Sequence, residues 1–187
     1  MAMNIFMLES NVSDFPSFIE SYPPGQRSII GRAMAQRWKP FDDSYQPVVL
    51  QLRASDDGKR NFQFDVSGAL APFFVFSEKT VSVLGDTLTE NGQFLSVVTA
   101  SKRKKFVGYY PTNSIKDSLD LNLSRYRTGE NGLIVEVPVL IEHNISDRDI
   151  FVIEEDISRV FVTERFKDKV EECGLLAFDF STEVKVV

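Results

Sequence analysis

The sequence predicts an α+β fold: a single domain over residues 1–187, with a mostly antiparallel, Phe-rich sheet and a few short helices. Three observations carry that expectation. The chain holds 16 phenylalanines, many in strand-like runs. Strand-type runs outnumber helical ones, and helices are not regularly interleaved with strands, which argues against a doubly wound parallel sheet. Third, one short strand-to-helix element occurs twice, 86 residues apart.

The first copy is Phe73-Phe74-Val75-Phe76-Ser77-Glu78-Lys79, and the second is Arg159-Val160-Phe161-Val162-Thr163-Glu164-Arg165. Each has an apolar run, a hydroxyl residue, a glutamate, a base and a helix-compatible stretch. Ser77 and Thr163 are N-cap types, whose oxygen can accept a free helix N–H. Glu78 and Glu164 then occupy the first turn, where the helix dipole favours an anion. Thr80 and Phe166 fill the third helical position, so neither copy is a full capping box. An ancient duplication and two unrelated junctions both fit this pattern.

Along the chain, Met3 to Leu8 is a short apolar run that could start a sheet. Phe15, Phe18 and Ile19 have helical spacing within Asn11 to Tyr22. Ser28 to Trp38 suits a short helix or an irregular loop. Val48 to Leu52 reads as a strand, joined through the Ser55–Gly58 turn to Asn61–Val66 as a hairpin. Phe94 to Ala100 and Phe106 to Tyr110 read as a second hairpin. Asn113 or Ser114 could cap a short helical turn. Residues 129–132 form a turn, and Leu133 to Ile141, interrupted by Pro138, suits an edge strand. Ile150 to Ile153 is a short strand. The helix Glu164 to Glu172 follows the second junction, with Gly174 placed as its left-handed cap. Leu175 to Phe180 is extended.

Net charge is −6, and residues 127–187 alone carry −7, with 14 acids against 7 bases. An acidic face disfavours nucleic acid, whose binding requires phosphate neutralisation. It suits a basic protein partner. No run approaches the roughly 18 apolar residues of a membrane span, and the first residues do not resemble a signal peptide. A cytoplasmic location is the expectation.

Catalytic chemistry is sparse. His143 and Cys173 are single examples of their types, so no Cys/His zinc site can be built within one chain. Cys173 reads as a small packing residue and His143 as a loop residue. No phosphate loop, nucleophile elbow or dinucleotide fingerprint occurs. Asp42-Asp43, Asp56-Asp57, Glu154-Glu155-Asp156 and Glu171-Glu172 are carboxylate pairs of the solvated kind. A carboxylate-dependent hydrolase or transferase is the alternative they leave. Lys102-Arg103-Lys104-Lys105, beside Phe106, Tyr109 and Tyr110, leaves a weaker one, a nucleic-acid-binding module.

Residues Tyr109-Tyr110-Pro111-Thr112-Asn113, then Asp117-Ser118-Leu119-Asp120-Leu121, then Ser124-Arg125-Tyr126, carry a family pattern. They resemble the central signature of a bacterial family of immunity proteins from polymorphic-toxin systems, long filed as a domain of unknown function. Val162-Thr163-Glu164-Arg165-Phe166 through Gly174 is similar to that family's closing strand and helix. Val75-Phe76-Ser77-Glu78-Lys79 is similar to its earlier junction. The likeness spans about residues 60–180, and Pro111 stands where the family has an aliphatic residue. The resemblance implies a non-enzymatic cytoplasmic protein that binds and neutralises a cognate toxin and uses no cofactor. Beside it, the acidic loops nominate Glu142, Asp147, Asp149, Glu154, Glu155 and Asp156 to cover a toxin's basic surface.

Overall fold

A computed structural model describes residues 3–22, 24–53, 61–145 and 147–187. The chain opens with β1 (Ile5–Met7), β2 (Glu9–Ser10) and β3 (Phe18–Glu20), then α1 (Ile29–Gln36) and β4 (Val48–Leu52). The first junction follows as β5 (Val66–Ser67), β6 (Phe74–Ser77) and α2 (Glu78–Asn91). Next come β7 (Gly92–Leu95), β8 (Val97–Val98), β9 (Phe106–Pro111) and β10 (Ser114–Ile115). A hairpin of β11 (Arg125–Gly129) and β12 (Gly132–Val137) precedes β13 (Val139–Leu140) and a 3-10 turn, Glu142–Asn144. The second junction is β14 (Ile150–Ile153), β15 (Asp156–Thr163) and α3 (Glu164–Glu172). β16 (Phe178–Asp179) and β17 (Glu183–Val186) complete the described elements.

The expected α+β class holds: short helices pack on several sheets, mostly antiparallel. A six-stranded sheet runs β10-β14-β15-β1-β17-β13, and a four-stranded one runs β5-β6-β9-β7. A three-stranded sheet, β3-β4-β8, and the pairs β11-β12 and β2-β16 complete the set. Among the described residues three pairings are parallel: β10 with β14, β13 with β17, and β4 with β8.

The large sheet is apolar on both faces, which explains the continuous runs in β14 and β15. Strand side chains alternate between faces. Phe6, Ile150, Val152, Val160 and Val162 enter a large core with Phe18, Phe64, Phe74, Phe76, Tyr109 and Tyr110. Ile5, Phe151, Ile153, Phe161 and Val184 point the other way, into a smaller core with Leu119, Val135 and Leu140. Edge-on aromatic contacts hold the large core, such as Phe18 on Phe106 at 5.1 Å between ring centres. Each such pair adds about 0.5–1.5 kcal/mol beyond its buried area.

Local signals set the helices. Ser28 accepts the Gly31 N–H at 3.2 Å, and Glu20 Oε2 accepts the Ile29 N–H at 2.6 Å, so α1 is a helix rather than a loop. It buries Ile29 and Ala33 and stops at Arg37 and Trp38, both left-handed. α3 ends as its sequence predicts. Leu175 N–H reaches Val170 O and Gly174 N–H reaches Glu171 O, with Gly174 at φ +63°. Those two bonds define a Schellman stop.

Several expectations needed correction. Phe18 and Ile19 lie in a strand, not a helix, with Phe18 opposite Leu52. Pro16 disfavours helical backbone at Phe15 and breaks the apparent period. β4 pairs with β3 and β8, not with Asn61–Val66. The Ser55–Gly58 turn lies outside the described residues. Within that second segment only Val66 joins a strand, and its partner is Phe76. The second hairpin exists between β7 and β9. Its first strand divides at Ser96, however, and β8 crosses to β4. α2 runs to Asn91 and passes straight into β7 at Gly92. A Cβ at Gly92 would come within 2.5 Å of the Tyr109 ring, so the strand can approach only there without a side chain. Ser114 caps no helix; it pairs with Val152. Pro111 fits as the last residue of β9, opposite Gly92.

Candidate functional site

The two strand-to-helix junctions have the same wiring. In the first, the Ser77 N–H donates to Asp65 O at 3.0 Å, and its hydroxyl donates to Asp65 Oδ1 at 2.6 Å. In the second, the Thr163 N–H donates to Asp149 O at 3.0 Å, and its hydroxyl donates to Asp149 Oδ1 at 3.1 Å. Each aspartate stands immediately before the neighbouring strand, β5 or β14. The third strand also corresponds. Ser77 lies opposite Phe106 in β9, and Thr163 opposite Ile5 in β1. Glu78 N–H reaches Lys105 O, and Glu164 N–H reaches Asn4 O. Both hydroxyls cap their helices as expected, accepting from Thr80 N–H and Phe166 N–H. The repeat is therefore three-dimensional, not merely a likeness of short strings.

Asp65 is buried, and burial alone would push its carboxyl up. The Ser77 hydroxyl, the Leu176 N–H at 2.7 Å and the Lys104 ammonium at 3.2 Å outweigh that and hold it below the usual carboxylate range. Arg165, gripped by Asp147 and Asp149, is pushed up. Burial also raises both tyrosines of β9. Tyr109 donates to Leu88 O. Tyr110, pushed up to about 12, donates to Ala33 O and accepts the Trp38 N–H. These are framework bonds between elements.

The six nominated acids lie in three places: the 3-10 turn, the segment before β14 and the β14–β15 turn. Glu154, Glu155 and Asp156 share the β14–β15 turn. Asp156 is buried, binding Ser158 and Arg159 through both oxygens. Glu155 Oε1 accepts the Ser118 N–H at 3.0 Å, while Oε2 is sealed from solvent. Asp147 and Asp149 hold Arg165. Glu142, in the 3-10 turn, is exposed, as is Glu154, whose nearest cation is Lys116 at 3.9 Å. Four of the six therefore accept hydrogen bonds from their own chain, and Glu154 makes a longer ion pair with Lys116.

The basic block is also divided. Lys104 turns inward to Asp65, leaving Lys102, Arg103 and Lys105 exposed. Cys173 and His143 are exposed. Among the described residues no three His, Cys, Asp or Glu side chains gather closely enough to hold a metal ion. No described helix is long and apolar enough to cross a membrane.

The main surface feature is the β11–β12 hairpin, whose turn and second strand were expected but whose first strand was not. Gly129 and Gly132 face each other across the two-residue loop Glu130-Asn131, with Gly132 at φ +117°. The Asn-Gly pair is a hairpin signal, and Tyr126 and Thr128 favour strands. Those residues could have revealed β11. Val135 anchors the hairpin on the smaller core. Arg37 ties down the tip through Asn131 O. Beneath it lies an open groove of about 320 Å³ between Arg37, Lys116, Leu133, Glu154 and Ile157. Its apolar extension, about 500 Å³, reaches Met34, Ile134 and Val135.

The exposed surface around the hairpin is apolar and cationic. Leu121 and Leu123 are 50% and 54% exposed, and Tyr126, Ile134 and Val137 are exposed with them. Asp120 fixes the preceding turn by accepting from Asn122 N–H and Leu123 N–H. Arg125 and Arg127 share Glu136, at 2.9 and 3.9 Å. Clustered exposed apolar groups mark interaction surfaces, and the arginines and tyrosine among them are residue types enriched at binding hot spots.

Comparison with known proteins adds no family: no family model matches the chain, and no curated protein matches it.

Proposed function

We propose that this chain is a non-enzymatic immunity protein that binds and neutralises a cognate bacterial toxin in the cytoplasm. The observation that carries the reading is the resemblance of the Tyr109–Tyr126 segment to immunity proteins of polymorphic-toxin systems. The structure gives the segment a physical division consistent with it. Its first part, Tyr109 and Tyr110, is locked into the large core. Its last part leads through the Asp120 turn into the exposed hairpin. One segment thus joins framework to display surface. Glu142, and Glu154 with only its long 3.9 Å pairing to Lys116, are the nominated acids most open to a basic rim on the toxin.

Co-expression tests the reading. The chain is paired with a toxin domain encoded by a neighbouring gene. The expected result is restored growth together with a stoichiometric complex of the purified proteins. Unrestored growth with every neighbouring toxin domain, and no complex with any, overturns it.

A further inference from the structure

The open edge of β11 contrasts with other strand edges. β10 and β13, which terminate the six-stranded sheet, have two residues each. β12 is closed on its outer side by Arg159, which donates to Val135 O at 2.6 Å and Glu136 O at 3.3 Å. β11 runs for five residues, four of them exposed. Among the described residues, no backbone group of Tyr126, Arg127 or Thr128 bonds outside the hairpin.

Alternation shows which groups are open. The Val135 carbonyl points to Arg159, away from β11. Its cross-strand mate Tyr126 therefore turns its N–H and C=O to the open side, and so does Thr128 two residues on. Arg125 and Arg127 lie on one face, 72% and 67% exposed, with Glu136 between them. One carboxylate for two guanidiniums leaves that face locally positive.

A second copy of the chain is a poor occupant. Antiparallel self-pairing about an axis perpendicular to the hairpin sets Arg125 against Arg127, or Arg127 against itself. Like charges directly opposite each other destabilise a strand pair. The same geometry rewards an acidic neighbour.

We propose that the β11 edge receives an extended segment of a protein partner as an added strand, with acidic side chains at alternate positions opposite Arg125 and Arg127. Main-chain bonds to Tyr126 and Thr128 supply general affinity, and the arginines select the sequence. The other face of that strand lies beside Tyr126 and Thr128 and suits apolar or hydroxyl residues. The partner's identity as a toxin rests on the reading above; the strand's chemistry does not.

The test titrates isotope-labelled protein with a capped eight-residue peptide alternating glutamate and valine, against a lysine–valine peptide of equal length. The expected result is amide shift changes centred on residues 125–129, with binding at least tenfold tighter for the glutamate peptide. Arg125→Glu with Arg127→Glu should invert that preference; the two new carboxylates repel Glu136 and lower the melting temperature somewhat, so binding is compared well below it. Thr128→Pro removes an outward N–H and no hairpin bond, so it should weaken glutamate-peptide binding while the hairpin persists. Equal binding of the two peptides, shifts centred elsewhere, or an unaltered preference in the double variant overturns the proposal. Growth rescue is read separately. A double variant that still protects against the toxin rules the toxin out as the edge's partner and keeps the immunity reading. Selective peptide binding without protection does the reverse.

Discussion

The two junctions share every backbone connection described above, yet they differ in what their aspartates hold. Asp65 is 1% exposed and gathers donors from three distant segments: Ser77, Lys104 and Leu176. Asp149 is half-buried and takes Thr163 and Arg165, both from its own junction. One wiring scheme therefore serves two purposes. In the first copy it joins β6, the β8–β9 loop and the segment after α3. In the second it fixes only the direction in which α3 leaves β15. Position in the core, not the hydrogen-bond diagram, determines how much a motif matters.

The strongest challenge to this contrast is Asp65→Ala. It strands a buried hydroxyl and the Leu176 N–H, and it deprives Lys104 of its partner. The expected cost is about 3 kcal/mol, at the lower end for breaking a buried pair because Lys104 keeps some solvent. Urea denaturation measures it. Ser77→Ala comes next, at about 1–2 kcal/mol, since it removes a helix cap and a donor to Asp65. Thr163→Ala and Asp149→Ala should each cost about 1 kcal/mol. Equal losses for the Asp65 and Asp149 variants would show the junctions to be energetically equivalent and end the distinction.

Acid sharpens the same contrast more gently. The folded-state carboxyl of Asp65 lies below its ordinary value of 3.8. The folded protein therefore holds that proton less tightly than the unfolded chain does. Its contribution is complete above the ordinary value and is lost as pH falls through the lowered one. Urea midpoints at successive pH values below 5 should fall more steeply for the wild type than for Asp65→Asn. Parallel curves would remove Asp65 from the acid response.

Local features of the fold were legible in the sequence, and remote ones were not. Thr163, Glu164 and Gly174 marked both ends of α3 because caps are decided within a turn or two. Phe106–Tyr110 and its hairpin partner were legible for the same reason. The partners of β4 were not, because Val48 meets Val97 and Leu52 meets Phe18 across long stretches of chain. Adjacent strands had suggested a hairpin instead. Among the nominated acids, Asp156 reads in sequence like its exposed neighbour Glu154. Only the return of Arg159 and Ser158 onto its carboxylate separates them. β11 was hidden by its charge, since Arg125 and Arg127 suit a loop as well as an exposed edge.

The position of β1 has a consequence for how the protein is made. It lies between β15 and β17, with Ile5 opposite both Thr163 and Val184. A ribosome releases the first of these strands long before the other two. β1 must wait, apolar and unpaired, until nearly all of the described chain has emerged. Such distant pairings slow folding, and an unpaired strand edge exposes the nascent chain to aggregation. Synthesis that stalls before Val184 should leave the centre of the largest sheet open, however well the earlier hairpins have formed.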